Sequence, residues 1–287
     1  MRFRSIILLS FVSALAWSAP GYAQKANTST SDPSTVSATS DNKLVQAGLK
    51  ALDEKKYDSA LKSFNDAFNA GEPDGAFYLA RMVELGVGME PDQEKARILY
   101  LAAADKGSAK GMNRIGLMHY RGEGVLQDYK AAFDMICKAA DLKDTDAAFN
   151  CAGLYAEGRG TPKDMSKAIS YYQKAAEADH IGALNALALV YGRGNGVDAD
   201  PEKAYRYFEK AASRGNPLAL FEVAKAYETG KSVEQDLIKA HMYYNLAAAR
   251  QLPAARAALE RVTNQLSVED VEKAQSLAKA WKATGTP

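Results

Sequence analysis

Residues 152–176 read AGLYAEGRGTPKDMSKAISYYQKAA, and this stretch recurs along the chain. Gly158 has counterparts at Gly86, Gly122, Gly194 and Gly230, each one step of 36 residues away. The same step links Asp164 to Asp92, Asp128, Asp200 and Asp236, and Ala168 to Ala96, Ala132, Ala204 and Ala240. The doublet Ala175-Ala176 returns as Ala103-Ala104, Ala139-Ala140, Ala211-Ala212 and Ala247-Ala248. A fixed period in this range is the signature of stacked supersecondary units. Before Gly158, a helix over 146–157 places Ala147, Ala148, Cys151, Ala152, Leu154 and Tyr155 on one side, a wide apolar face. Gly158 ends that helix, because the residue after a helix often needs a positive φ. A second glycine follows in four copies, and the Asp then caps the next helix by accepting from free backbone N–H groups. Pro201, directly after Asp200, occupies the first helical position, where its missing N–H costs nothing. In the second helix, alanines mark close crossings, and Tyr100, Ile136, Tyr172, Phe208 and Tyr244 fill the gaps between them. The unit is an antiparallel helix pair, and the fold class is all-α, an α-solenoid of tandem pairs.

Working outward gives five repeats, at 72–107, 108–143, 144–179, 180–215 and 216–251. Ala60, Phe64 and Gly71 keep the step in part, so residues 43–71 read as an N-terminal helix pair of the tetratricopeptide type. Ser267 followed by Asp270 forms a capping box, and Val271, Ala274, Ala278 and Trp281 make one apolar stripe. Residues 252–287 therefore read as capping helices that close the last repeat. At the other end, Arg2 and Arg4 precede an apolar run from Ile6 to Trp17, and Gly21-Tyr22-Ala23 supplies small residues. This is the pattern of a cleaved signal peptide over 1–23, cut after Ala23, and it predicts a periplasmic or secreted protein. Residues 24–42 are rich in Ser, Thr, Asn and Asp and lack the apolar surface needed to offset ordering, so they read as a flexible tail. No later run is long and apolar enough to span a membrane.

These columns resemble the Sel-one-like repeat family, a branch of the tetratricopeptide-like α-solenoids. The resemblance covers residues 72–251. Val83 and His119 depart from it where the loop-side Tyr is expected, and Ser232 replaces the last second glycine, so those loops are expected to be less well ordered. The resemblance implies a right-handed superhelix with the first helices on its concave side. It also implies an adaptor role. Exported bacterial members are similar to regulators of envelope sensor kinases, exopolysaccharide secretion components, flagellar accessories and host-interaction factors.

Two cysteines remain, Cys137 on a second helix and Cys151 on the next first helix. In the cysteine-rich branch of the family, disulfides join these neighbouring helices, three residues away on each, at positions matching Ala140 and Ala148. Moving three back on one helix and three forward on its antiparallel partner keeps the side chains level. A bond needs Cα atoms within about 7 Å; the alternative is two buried thiols acting as small core residues.

Charge and chemistry narrow the function. Lys and Arg total 36 against 35 acidic residues; losing Arg2 and Arg4 with the leader leaves 34 against 35. Such an even mixture lacks the basic cluster that nucleic acid requires. His119, His180 and His241 fall at unrelated places in the repeat, so no metal site or cofactor is expected. The cysteine-rich branch is also associated with penicillin binding and weak β-lactamase activity, which supplies an alternative reading as a cell-wall or β-lactam binder. Here Ser59 with Lys62 and Ser276 with Lys279 match S-x-x-K, and Ser40-Asp41-Asn42 matches S-D-N, but no K-T-G follows and the order is wrong. No catalytic residue is assigned. A structural subunit of an envelope assembly is a third reading.

The favoured function is protein binding along the variable columns of the first helices. One column holds Phe77, Asn113, Phe149, Asn185 and Phe221; a second contributes Tyr78, Arg114 and Asn150; a third contributes Arg81, Leu117, Leu189 and Lys225. Large apolar groups among Asn and Arg suit a peptide or helix segment of a partner. The competing reading is that each Phe packs against a neighbouring repeat.

Overall fold

The computed structural model describes residues 43–284, which form fourteen helices and no strand among the described residues. The leader, its cut after Ala23, the 24–42 tail and the Ser40-Asp41-Asn42 match lie outside them. The helices come in antiparallel pairs: α1 (Lys43–Asp53) with α2 (Tyr57–Asn69), α3 (Pro73–Leu85) with α4 (Gln93–Asp105), α5 (Ala109–Arg121) with α6 (Tyr129–Asp141) and α7 (Thr145–Glu157) with α8 (Met165–Glu177). They continue as α9 (Ile181–Arg193) with α10 (Pro201–Ser213), α11 (Pro217–Thr229) with α12 (Leu237–Ala249), then α13 (Pro253–Thr263) and α14 (Val268–Ala280). Each helix packs on the next in the chain from α1 to α13, the contact pattern of an α-solenoid.

The local chemistry is the same in every copy. Asp92, Asp128, Asp164, Asp200 and Asp236 each accept a backbone N–H three positions on, at 2.8 to 3.0 Å. First helices carry their own caps. Ser108, Asp144, His180 and Asn216 accept from Gly111, Ala147, Ala183 and Ala219. Because these residues are caps rather than helix, each first helix opens one residue after the boundary read from sequence. Gly158 closes α7 with φ of 72°, and a Cβ on Gly160 would stand 2.0 Å from the Tyr129 carbonyl oxygen, so only glycine passes there. Ser232 takes φ of 70° in the last loop, close to the 71° of Gly160. That turn is therefore kept: serine accepts the left-handed region at some cost in strain.

The core follows the Ala columns. Ala96, Ala132, Ala168, Ala204 and Ala240 are at most 5% exposed, and Tyr100, Ile136 and Tyr244 at most 1%. At the loop-side edge, Tyr155 stacks on Tyr171, Tyr191 on Tyr207 and Tyr227 on Tyr243, with ring centroids 5.8 to 5.9 Å apart. Lys203 sits 3.9 Å from the Tyr191 ring centroid, a cation over an aromatic face. Cys137 and Cys151 are bonded, tying α6 to α7 with Cα atoms 5.1 Å apart. At the C-terminal end α14 folds back onto α12, burying Ala274 completely, and the Thr284 backbone N–H donates to the Ser213 carbonyl at 2.7 Å.

Candidate functional site

The first helices α1, α3, α5 and α7 approach their like neighbours directly, whereas the second helices make no comparable approach before α12 and α14. From α1 to α7 the first helices therefore lie on the inside of the curve. What fills that face is decided by three side-chain columns, which differ from repeat to repeat.

At the α3–α5 junction the face is closed by charge. The Tyr100 hydroxyl donates to Glu84 at 2.6 Å, Arg81 donates to the same oxygen at 3.1 Å, and Arg114 donates to the other oxygen. Burial pushes the Glu84 carboxyl up, but the Tyr100 hydroxyl and the Arg114 and Arg81 guanidinium groups outweigh it, and the net shift is downward. Four repeats later the cluster returns. Tyr244 donates to Glu228 at 2.6 Å, and Arg261 grips both carboxylate oxygens at 2.8 and 2.9 Å. Those hydrogen bonds, Arg261 first, hold Glu228 below the usual carboxylate range.

Between these clusters the junctions are closed differently. At α5–α7, the Asn150 amide donates to Asn113 at 3.1 Å and the Tyr120 hydroxyl donates to Glu157 at 3.2 Å, leaving a void of only about 10 Å³. At α7–α9, Phe149 stacks on His180 with centroids 4.6 Å apart, and the His180 Nε2 lies 3.4 Å from Asp146. The Nδ1 of His180 accepts the Ala183 N–H, which puts its proton on Nε2 and explains the contact with Asp146.

The α9–α11 junction is the open one. Asn185 donates to Asn216 at 3.1 Å near the start of the two helices. Toward their far ends, Gly192 stands where Glu84 and Glu228 stand in the first and fifth repeats, and Phe208 stands where Tyr100 and Tyr244 do. With neither carboxylate nor hydroxyl, the bridge cannot form. A cavity of about 330 Å³ remains, with Ala204 and Phe208 from α10, Leu189 and Gly192 from α9, and Ala226 from α11. Its charged lining is Arg193, Glu222, Lys225 and Lys231, and Lys225 lies 3.7 Å from Glu222.

The candidate residues divide accordingly. Leu189 and Lys225 are exposed and line this cavity. Leu117, at 3% exposure, belongs to the core and is withdrawn from the groove; apolar burial takes it there. Asn113 and Asn150, each at 8%, spend their amides on one another. Arg114 is committed to Glu84 and Glu123, and Arg81 to Glu84. Phe77, Phe149 and Phe221 are half-buried against Tyr100, Tyr172 and Tyr244 of their own repeats, at 5.7, 5.7 and 5.3 Å. Tyr78 stacks on Phe64 at 5.1 Å. Sequence columns missed the rest of the cavity, although Gly192 in a column otherwise holding Glu, Tyr and Ala was its visible sign.

The S-x-x-K matches lie on helix surfaces. Ser59 and Lys62 are exposed on α2, Ser276 and Lys279 are exposed on α14, and the Ser276 hydroxyl donates to its own helix at the Glu272 carbonyl. Among the described residues there is no group of three metal-ligating side chains, and no helix is long and apolar enough to cross a membrane.

A curved stack of helix pairs with caps at each fixed step and a lined inner face defines a repeat scaffold. The Sel1 repeat family model matches residues 73–108, 109–144, 145–180, 181–216 and 217–252, and the chain belongs to this family. Repeat proteins of this kind typically mediate protein–protein interaction. Among solved structures, a Sel1 repeat protein from Oxalobacter formigenes is 29% identical with a TM-score of 0.70, covering 83% of this chain and 100% of its own. A protective antigen of uropathogenic Escherichia coli strains displaying an SLR fold is 21% identical with a TM-score of 0.52, covering 77% of this chain and 56% of its own. Comparison with curated proteins yields no match.

Proposed function

We propose that this chain is an exported scaffold that binds an envelope protein on its concave face, with the α9–α11 opening as the contact centre. The observation that carries the reading is the cavity of about 330 Å³ on a face whose other junctions are closed by ion pairs, amides or rings. Concave, largely apolar hollows with a few polar groups are where ligands of folded proteins sit. Export is supported by the leader pattern at the N-terminus and by the Cys137–Cys151 bond, since such bonds persist in oxidising compartments. A sensor kinase or a secretion component is the type of partner this reading favours.

The test is capture from the native envelope on the immobilised mature chain, residues 24–287, with and without Leu189→Asp and Lys225→Glu. Both positions are exposed, so the fold tolerates the changes, unlike changes at Arg114 or Asn150. One protein held by the parent and lost from the double variant supports the reading. Equal capture by both moves the contact off this face.

A further inference from the structure

We infer that the extended segment Trp281–Thr284 is a strap that fixes the width of the α9–α11 opening. The strap stands on its own contacts, and only its role in regulating a partner site rests on the scaffold reading.

Two blocks of helices meet at this opening. On one side Glu228 ties α11, α12 and α13 together, taking the Tyr244 hydroxyl and the Arg261 guanidinium. On the other side Lys210 and Arg214 tie α10 and its end to Asp179, in the turn before α9. The blocks join where α10 ends and α11 starts. Ala211, Ala212, Ala219 and Leu220 are packed there, at most 2% exposed, and Asn185 reaches Asn216 at 3.1 Å. The far ends lack the Glu–Tyr–Arg cluster of the first and last junctions, because Gly192 and Phe208 replace its carboxylate and hydroxyl. The 13 residues of α11 make a lever of about 20 Å at 1.5 Å per residue. A small rotation at Asn216 is therefore largest at Lys225 and Thr229, which line the cavity.

The strap crosses that pivot. Although α14 follows α13 in the chain, it packs on α12. At Trp281 the backbone turns extended, with φ of −67° and ψ of 135°, and leaves the helix. The Arg250 guanidinium, at the end of α12, lies 5.0 Å from the Trp281 ring centroid. Ala283 and Arg250 stand over the α10–α11 turn: a Cβ on Gly215 would lie 3.6 Å from the Ala283 Cβ and 3.5 Å from two Arg250 nitrogens. The Thr284 N–H and hydroxyl then both donate to the carbonyl of Ser213, the last residue of α10, at 2.7 and 3.1 Å. A segment anchored on α12 thus reaches past α11 to α10, a second link between the two blocks beside the chain connection itself. With the strap engaged, α11 cannot turn against α10. A short terminal segment held by so few contacts opens far more readily than the packed helices. Once it opens, the width of the cavity varies and a partner selects among widths.

The test is a distance measurement by double electron–electron resonance on the mature chain, with Cys137 and Cys151 left bonded. Spin labels at Leu189→Cys and Lys225→Cys span the opening, and labels at Ile98→Cys and Asp134→Cys span α4 and α6 as a reference; all four positions are exposed. The parent is expected to give one narrow distribution at each pair. Thr284→Pro removes both donors at a position outside any helix, and a second variant ends the chain at Ala280. Each is expected to at least double the width across the opening and leave the reference pair unchanged. A Cβ on Gly192 meets only the Ala204 Cβ, at 3.5 Å, so Gly192→Leu fits and fills the hollow; added to Thr284→Pro, it is expected to restore the narrow distribution. An unchanged width in Thr284→Pro, equal broadening at both pairs, or no narrowing by Gly192→Leu overturns the inference. Circular dichroism checks helical content, and if the shortened chain loses helix beyond α14, Thr284→Pro decides alone. If the distances respond while envelope capture ignores Leu189→Asp and Lys225→Glu, the strap stands and the contact-centre reading falls; if capture depends on them while the distances stay fixed, the strap falls and that reading stands.

Discussion

At the scale of the residue, two carboxylates four repeats apart do the same work. Glu84 and Glu228 each join a buried tyrosine to an arginine on the next first-type helix, Arg114 on α5 and Arg261 on the capping helix α13. A hydrogen bond to a charged group contributes about 2 kcal/mol, and Glu84→Gln should cost about that much in a urea titration at pH 7. Both carboxyls are held below their ordinary range in the folded chain. The stability they supply is complete above the unfolded Glu value, about 4.3, and is lost as pH falls through their folded values. The urea midpoint of the parent should therefore drop from pH 6 to pH 3.5 more than that of Glu84→Gln. His241 adds a second window. It is 2% exposed, its Nδ1 makes no hydrogen bond among the described residues, and burial lowers its affinity for a proton. Protonation of the unfolded chain then costs stability as pH falls below about 6.5. Phe133 and Tyr205 hold the same register in other repeats, so His241→Phe should fold and flatten the decline between pH 7 and 5. Little of this was legible in sequence. The Asp caps and glycines follow from local backbone needs and could be read, but the pairing of Arg114 with Glu84 depends on which neighbour lies across a junction.

At the scale of the element, the period was legible because the forces that set it are local: a cap, a left-handed glycine and a stripe of small residues recur within each pair. The disulfide was only half legible, since spacing brought Cys137 and Cys151 level but left buried thiols as an alternative. The structure bonds them across a sequence separation of 14, and closing a loop of that length contributes about 3 kcal/mol in the chain-entropy account. The double change Cys137→Ser and Cys151→Ser should lower the unfolding free energy by about that amount, and dithiothreitol should have the same effect on the parent while leaving the double variant unchanged. The return of α14 onto α12 was foreshadowed by its stripe of Val271, Ala274, Ala278 and Trp281. The contact of Thr284 with the Ser213 carbonyl beyond α14 carried no signal, because a single backbone hydrogen bond leaves no pattern in the sequence. Ala274 is fully buried, so Ala274→Asp places an unpaired charge against α12 and should destabilise the C-terminal end by several kcal/mol, read as an early transition in thermal melts.

At the scale of the whole molecule, contacts run from each helix to its neighbours, so the fold could be assembled one repeat at a time from the sequence. The concave face could not. Its cavity is defined by what Gly192 and Phe208 lack relative to their counterparts, and the absence matters only once α9, α10 and α11 are placed together. Two exposed members of the columns, Leu189 and Lys225, fall at the opening; others, such as Leu117 and Asn150, turned inward because apolar burial and amide pairing claimed them first. The central claim is that a partner protein docks in this opening. The most direct measurement places a photo-cross-linking amino acid at Lys225, and separately at exposed Arg206 on α10 outside the cavity lining, in the full chain in its native cells. The account predicts one discrete adduct from Lys225, abolished by Gly192→Leu, and none from Arg206. Equal adducts from both positions, or none from Lys225, would contradict it.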